Sequence, residues 1–217
     1  MTLDLRVYLV TDPGMGGNRP LTHTVEEAVA GGVTLVQLRD KGADPAELER
    51  QARELQEVLR GTGVDLVVND SLPVAVAVGA GLHVGARDAG PAQARAALGA
   101  TAAIGTSLGS GRPLGDEDLA ALDYVAVGPV WDTATKADAG PATGLSPIPS
   151  AAAFGLPVVA IGGIDAARAG EAVRAGAAGV AVVSAVMASN DPRAAARALR
   201  EAVDEALAER AADRFRP

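Results

Sequence analysis

Short apolar runs alternate with Ala-rich stretches of helical periodicity along the whole chain. The apolar runs predict eight strands, at residues 6–10, 33–38, 65–68, 81–84, 102–105, 124–127, 158–161 and 179–183. Apolar residues at helical spacing predict helices at residues 24–30, 45–60, 91–98, 146–154, 166–175 and 192–211. Thr24, followed three residues later by Glu27, has the spacing of a capping box, so we expect the first helix to begin there. Such alternation implies parallel strands joined by helical crossovers.

The number of these units favours a closed sheet over an open one. Eight units of about 27 residues fill the 217-residue chain, which fits an α/β fold of the (β/α)8 TIM-barrel class. A doubly wound sheet would carry Gly-x-Gly-x-x-Gly directly after its first strand, and residues 11–18 lack that spacing. No linker or change of composition divides the chain, so we expect residues 1–217 to form a single domain.

Charge and cysteine content narrow the range of partners. The net charge of −8 and the pI near 4.8 argue against nucleic-acid and anionic-membrane binding, because the field of the protein would repel both. The lack of cysteine excludes disulfides and thiolate chemistry. No apolar run approaches the roughly 20 residues that a membrane helix needs. We therefore expect a soluble, cytoplasmic protein, and the sequence leaves open whether it forms a homo-oligomer.

Three hydrogen-bond donors stand at alternate positions near the end of the second predicted strand. Gln37, Arg39 and Lys41 are two residues apart, so in an extended chain they point to the same side. Two cations beside an amide suit a polyanion such as a diphosphate. The alternative is an edge strand with solvated charges, which the apolar neighbours Leu35 and Leu38 disfavour.

Two carboxylates follow the third and fourth predicted strands. Asp70 comes after residues 65–68, and Asp88 comes shortly after residues 81–84. Neighbouring parallel strands bring such residues together, and two adjacent carboxylates are costly without a cation between them. Mg²⁺ prefers oxygen ligands together with substrate phosphates, so we expect it here. The alternative is a helix N-cap at Asp70 and a turn residue at Asp88.

The connection after the sixth predicted strand, residues 128–140, has the features of a lid. Thr133 and Thr135 carry hydroxyls at alternate positions and Lys136 adds a cation, a set that can bind phosphate oxygens. Loops of this length in compact domains are usually functional, and this one could close over bound substrates and exclude water.

The segments after the seventh and eighth predicted strands indicate a second anion site. Gly162, Gly163 and Ser184 occupy positions where barrels often bind a phosphate through backbone N–H groups. A monophosphate site here and a diphosphate–metal site after strands two to four would face each other across the barrel mouth. We therefore expect two small phosphorylated substrates. The two histidines, His23 and His83, are assigned no chemical role.

Seven segments, in order, resemble the thiamine phosphate synthase family over nearly the whole chain. They are Tyr-Leu-Val-Thr-Asp at 8–12, Val-Gln-Leu-Arg-Asp-Lys at 36–41, Asn-Asp at 69–70, Gly-Leu-His-Val-Gly at 81–85 with Asp88, Ile-Gly-Thr-Ser at 104–107, Gly-Pro-Val at 128–130 with Thr-Ala-Thr-Lys at 133–136, and Ile-Gly-Gly-Ile at 161–164. The resemblance implies a transferase of thiamine biosynthesis. Such an enzyme joins 4-amino-2-methyl-5-hydroxymethylpyrimidine diphosphate to 4-methyl-5-(2-hydroxyethyl)thiazole phosphate, or its carboxylated form, and releases pyrophosphate.

The resemblance also implies a division of the site among named residues. The pyrimidine diphosphate would be held by Gln37, Leu38, Arg39, Asp40, Lys41, Asn69, Ser107 and Lys136. The thiazole phosphate would be held by Thr133, Ala134, Thr135, Gly163, Val183 and Ser184, and Mg²⁺ by Asp70 and Asp88. Catalysis would rest on Arg39, Lys41, Ser107 and Lys136. These groups and the metal would stabilise the departing pyrophosphate without a protein nucleophile.

Two other functions fit parts of the pattern. A thiazole tautomerase of the same superfamily would carry a histidine soon after Ser107 and lack the metal carboxylates, and this chain shows the opposite. A non-catalytic sensor of a phosphorylated ligand would not need diphosphate, metal and lid elements together.

The chain departs from the synthase pattern at Ala86, where a glutamine is usual, and at Leu108-Gly109, where a histidine is common. Both departures fall in segments expected to line the pyrimidine pocket.

Overall fold

Eight parallel strands form a closed barrel. A computed structural model of the chain describes residues 3–85, 87–109, 111, 113–135 and 140–213. The strands are β1 (Val7–Val10), β2 (Leu35–Leu38), β3 (Asp65–Asn69), β4 (Gly81–Val84), β5 (Ile104–Ser107), β6 (Tyr124–Val127), β7 (Val158–Ile161) and β8 (Gly179–Val182). Each strand pairs with the next, and β8 pairs with β1, with Val182 opposite Leu9. The predicted (β/α)8 barrel is confirmed.

Helices connect the strands. In the described part of the chain they are α1 (Leu21–Gly31), α2 (Pro45–Leu59), α3 (Leu72–Val78), α4 (Pro91–Leu98), α5 (Asp116–Ala121), α6 (Pro147–Ala152), α7 (Ala166–Arg174), α8 (Ser184–Met187) and α9 (Pro192–Asp213). The prediction from sequence lacks α3, α5 and α8, because helices of seven, six and four residues hold at most about two turns of periodic pattern. None of the described helices combines the length and apolarity that crossing a membrane requires.

The first helix begins three residues before the predicted capping box. α1 starts at Leu21, and Pro20 occupies the N-cap position. The Pro20 carbonyl accepts the Thr24 backbone N–H at 3.1 Å and the Thr24 hydroxyl at 3.4 Å. Thr24 therefore lies buried inside the first turn, and the capping-box prediction is wrong. Its hydroxyl bonds back along the helix, as threonines within helices often do.

The fifth strand ends two residues beyond the predicted apolar run. β5 spans Ile104–Ser107 because Thr106, although buried, donates its hydroxyl to the Val84 carbonyl at 2.9 Å. A buried polar side chain that is hydrogen-bonded does not interrupt a strand. The shift places Ser107 at the carboxyl end of β5, at the barrel mouth.

Apolar side chains form two layers, one inside the barrel and one between the sheet and the helices. Val7 and Leu9 pack in the outer layer, and Tyr8 between them points inward, as the alternation of side chains along a strand requires. The inner layer contains Leu5, Tyr8, Val10, Leu35, Val67, Tyr124, Val159 and Ala181. Because these side chains fill the barrel interior, room for a ligand is left only at a mouth of the barrel.

Gly105 makes room for Tyr124 inside the barrel. A Cβ at position 105 would lie 2.0–2.4 Å from ring atoms of Tyr124. We expect Gly105→Ala to lower the free energy of unfolding by about 1–3 kcal/mol, the usual cost of overpacking, as measured by urea denaturation. Gly16→Ala is the control, because its Cβ would meet only the Arg19 carbonyl at 3.4 Å and the Pro13 carbonyl at 3.9 Å. Equal stability of the two variants would contradict the prediction.

Candidate active site

A cavity of about 620 Å³ opens at the carboxyl ends of the strands. Its size lies within the range of small-molecule sites. Most predicted site residues line it, namely Gln37, Arg39, Lys41, Asn69, Asp70, Asp88, Ser107, Thr133, Thr135, Gly163, Val183 and Ser184. Lys136 lies outside the described residues. The fold therefore collects at one place residues that are widely separated in sequence.

Three predicted residues are not part of the cavity lining. Leu38 is fully buried and packs in the layer between sheet and helices. Asp40 accepts the backbone N–H of Gly42 at 2.9 Å and the side-chain amide of Gln51 at 3.0 Å. Ala134 lies between two lining threonines. Leu38 and Asp40 alternate with the lining residues, so their side chains point away and only their backbone could contact a ligand.

Both cations that follow β2 face a carboxylate. Lys41 Nζ donates to Asp70 Oδ2, and a guanidinium nitrogen of Arg39 lies 3.9 Å from Asp12 Oδ2. The buried Thr11 hydroxyl accepts the Arg39 backbone N–H at 2.9 Å and lies 3.2 Å from the Arg39 carbonyl, to which it donates. The Arg39 side chain is 19% exposed and that of Lys41 58%. Arg39 is thus the more firmly positioned of the two cations.

The two carboxylates predicted to bind a metal lie together. The side chains of Asp70 and Asp88 are in hydrogen-bonding contact, and the Gly85 N–H donates to Asp88 Oδ2 at 2.7 Å. Asp70 has a φ of 64°, and among the described residues it is the one non-glycine residue with a positive φ. Such strain persists where the surroundings impose it, and it is concentrated at functional sites.

The ionisation of this pair matches a cation site. Burial alone would raise the pKa of Asp70, but hydrogen bonds with Lys41 and Asp88 hold that pKa below its ordinary value. Burial and the adjacent Asp70 raise the pKa of Asp88. The charged pair is therefore costly until a cation balances it. Within the described residues no third acidic or histidine side chain completes a metal cluster, so water and substrate oxygens would supply the other ligands of a hard cation such as Mg²⁺.

Asp88→Asn should stabilise the protein in metal-free buffer. We expect the free energy of unfolding at pH 7 to rise by roughly 0.5–2 kcal/mol, because the amide removes a like charge beside Asp70 and still accepts the Gly85 N–H. A raised folded pKa costs stability only above the unfolded value of 3.8, so the gain should disappear below that pH. Urea denaturation with a chelator measures both. A variant no more stable than the parent at pH 7 would contradict the charge argument.

Polar side chains cross the barrel interior beneath the cavity. Gln37 Nε2 donates to Tyr8 OH, which lies 2.8 Å from Tyr124 OH. His83 Nδ1 lies 3.0 Å from Tyr124 OH, and His83 Nε2 lies 3.0 Å from Ser107 Oγ. Burial raises the pKa of both tyrosines, so both keep their phenolic protons. A continuous hydrogen-bonded chain thus links β2 to β5.

Sequence reasoning missed Tyr8 and Tyr124 and left His83 without a role, although all three take part in this chain of contacts. A usable signal was present. The protein has only two tyrosines, and both stand at inward positions of predicted strands. Buried phenol groups usually need a hydrogen-bond partner, so their presence in an otherwise apolar barrel interior indicates a polar network.

The loops after β6 and β7 are joined at their base. The Trp131 N–H donates to the Gly162 carbonyl at 3.0 Å. A Cβ at Gly163, which has a φ of 65°, would lie 2.6 Å from the Asp132 carbonyl, so only glycine permits this close approach. Arg168 donates to the Gly163 carbonyl at 2.6 Å and stacks 5.4 Å from the Trp131 ring centroid. The glycine segment is therefore held against the start of the predicted lid.

The two predicted anion regions lie on opposite sides of one barrel mouth. In the closed ring β3, the middle one of strands β2 to β4, is four strands from β7, so the segments after β3 and β7 are opposite each other. The segments after β8 and β2 are the nearest members of the two groups, two strands apart. Thr135 Oγ1 also lies 3.4 Å from Ser184 Oγ and donates to it, which connects the loop after β6 with the end of β8. One cavity is continuous across both regions.

Comparison with known proteins gives a consistent result. The sequence pattern of the family described as thiamine monophosphate synthase matches residues 7–186. The chain is 48% identical over 203 residues to the thiamine-phosphate synthase of Azorhizobium caulinodans, covering 93% of this chain and 96% of that protein. It is 48% identical over 202 residues to that of Xanthobacter autotrophicus, covering 92% and 96%. The solved thiamine phosphate pyrophosphorylase from Pyrococcus furiosus is 32% identical with a TM-score of 0.79, covering 94% of this chain and 98% of that one.

Proposed function

The chain belongs to the thiamine monophosphate synthase family, and from this premise we propose how its cavity works as that of a transferase in thiamine biosynthesis. It joins 4-amino-2-methyl-5-hydroxymethylpyrimidine diphosphate to 4-methyl-5-(2-hydroxyethyl)thiazole phosphate, or its carboxylated form. The products are thiamine phosphate and pyrophosphate. One observation carries the proposal: a single cavity is lined by Arg39, Lys41 and a carboxylate pair at one side and by a glycine and hydroxyl cluster at the other.

The bond changes follow from charge. The methylene C–O bond of the pyrimidine breaks, its electron pair leaves with the pyrophosphate, and the thiazole nitrogen then forms the new C–N bond. Arg39 and Lys41 offer positive charge where the leaving group becomes more negative, and Ser107 offers a hydroxyl. When bound by Asp70 and Asp88, Mg²⁺ would neutralise part of the same charge. No protein nucleophile is required, so the chain's own groups serve to bind, orient and stabilise.

The thiazole phosphate is assigned to the region formed by the segments after β6, β7 and β8. Thr133, Thr135 and Ser184 supply hydroxyls, and Gly163 allows a phosphate to approach the backbone closely. Val183 lines the same part of the cavity, whereas Ala134 could contribute only through its backbone. With this assignment the thiazole nitrogen and the pyrimidine methylene would share one space, as a displacement between two bound substrates requires.

An assay with both substrates tests the function. We expect thiamine phosphate and pyrophosphate in equal amounts when both substrates and Mg²⁺ are present. Omission of either substrate should abolish product, and a chelator should reduce it strongly. Conversion of a thiazole carboxylate phosphate alone, with no need for the pyrimidine diphosphate, would instead support the tautomerase alternative. Tight binding of both ligands without product would support a sensor.

The organisation and location of the protein complete the proposal. We propose that residues 1–217 act as one barrel domain in the cytoplasm, with small phosphorylated molecules as partners. Support comes from the eight strands forming one closed ring and from the net charge of −8, which disfavours nucleic acid.

A further inference from the structure

The hydrogen-bonded chain inside the barrel has a direction that can be worked out from its first member. An amide nitrogen only donates, so Tyr8 OH accepts from Gln37 Nε2. The Tyr8 proton is then available to Tyr124 OH at 2.8 Å. The Tyr124 proton in turn goes to His83 Nδ1 at 3.0 Å. Each hydroxyl accepts from one neighbour and donates to the next.

This direction decides which nitrogen of a neutral His83 carries the proton. If Nδ1 accepts from Tyr124, the ring proton is on Nε2, and Nε2 donates to Ser107 Oγ at 3.0 Å. The hydroxyl proton of Ser107 is then directed to the cavity. In the other tautomer Ser107 would donate to Nε2 and would present only lone pairs there. The first arrangement therefore donates a hydrogen bond to an anionic ligand, whereas the second presents lone pairs that repel it.

The backbone keeps the aromatic members in place. His83, Gly105 and Tyr124 stand side by side on β4, β5 and β6. Because Gly105 has no side chain, the Tyr124 ring lies across it and stacks on the His83 ring, with centroids 5.7 Å apart and an interplanar angle of 29°. Tyr8 meets Tyr124 edge to face at 5.7 Å. Both tyrosine rings are buried, so their hydroxyl oxygens stay in the chain of contacts.

We propose that Tyr124 is a positioning residue that holds His83 in the Nε2–H tautomer and thereby keeps the Ser107 hydroxyl a donor toward the substrate. The inference rests on the proposed function only for the identity of the acceptor, an anionic oxygen of the leaving diphosphate. Tyr124 acts through two other side chains and has no direct part in the bond changes.

Nitrogen NMR of ¹⁵N-histidine-labelled protein tests the tautomer without any turnover. The chain has two histidines, and His23 is exposed and serves as the internal reference. At pH 8, where ordinary imidazoles with a pKa of about 6.5 are neutral, we expect His83 to show a protonated Nε2 and an unprotonated Nδ1. Tyr124→Phe should give a mixture of tautomers or the Nδ1–H form. An Nδ1–H or doubly protonated His83 in the unmodified protein would overturn the proposal.

Tyr8→Phe tests the direction of the chain, because it removes the hydroxyl that accepts from Gln37 Nε2 and donates to Tyr124 OH. We expect it to shift the His83 tautomer in the same direction as Tyr124→Phe but by less, because Tyr124 keeps a proton that can reach Nδ1. Tyr124→Phe should lower kcat about 10- to 100-fold, less than the outright loss of a donor, with KM for both substrates within about threefold. An unchanged tautomer and rate in Tyr124→Phe would overturn the proposal.

A double-mutant cycle separates positioning from a general structural effect. In a Ser107→Ala background, Tyr124→Phe should change kcat by no more than about twofold, because its route of action is already removed. If Tyr124→Phe lowered kcat in the Ser107→Ala background by the same factor as in the unmodified protein, action through Ser107 would be contradicted. If the NMR result holds and no thiamine phosphate forms, the proposed function fails while the tautomer assignment stands. If Tyr124→Phe does not fold, the spectrum of the unmodified protein still decides the assignment.

Discussion

Asp70→Asn should lose most turnover while keeping its fold, with kcat falling on the order of 10²- to 10³-fold. The Asp70 carboxylate lies against Asp88 and accepts a hydrogen bond from Lys41 Nζ. Its negative charge therefore serves both the predicted metal and the ion pair with Lys41. Asparagine tolerates the left-handed φ of 64° at this position, and the backbone can stay as it is. Steady-state rates over a range of Mg²⁺ concentrations measure the effect.

Asp65→Asn provides the control on the same strand. Asp65 stands exposed at the opposite end of β3, so its substitution should leave the rate unchanged. Thermal melts of both variants establish that each is folded. If Asp70→Asn turned over normally at limiting Mg²⁺, the assignment of the metal to this pair would be wrong.

Arg39→Ala should raise the barrier by roughly 2–4 kcal/mol, the usual loss when one preorganised donor is removed at developing charge. The guanidinium is largely buried at the mouth, and Thr11 holds the Arg39 backbone through its hydroxyl. We expect Arg39→Lys to restore only part of the rate, because an ammonium lacks the planar fork that binds two phosphate oxygens. Single-turnover rates with both substrates saturating measure the chemical step.

Calorimetric titration of each substrate separately tells which anion Arg39 serves. We expect Arg39→Ala to weaken binding of the pyrimidine diphosphate and to leave that of the thiazole phosphate nearly unchanged. Arg60→Ala, which removes an exposed cation after the end of α2, should change neither. A larger effect on the thiazole phosphate would reverse the assignment of the two regions.

The number and kind of elements could be read from the sequence because they depend on local periodicity. The predicted bounds of α1 and β5 were wrong because a single residue moved the end of each element. Pro20 starts α1 in place of Thr24, and the hydrogen-bonded hydroxyl of Thr106 lets β5 continue to Ser107. Neither effect appears in a count of apolar positions.

The sequence by itself determined the eight units, the polar residues at the strand ends and the resemblance that implies their roles. It could do so because side chains alternate along a strand, so Gln37, Arg39 and Lys41 share one side whatever surrounds them. The tertiary structure decided which of these groups meet. Closure and register joined both anion regions in one barrel mouth, laid Tyr124 across Gly105 onto His83, and brought Asp70 against Asp88. Such contacts depend on distances across the barrel, which residue spacing along one strand does not contain.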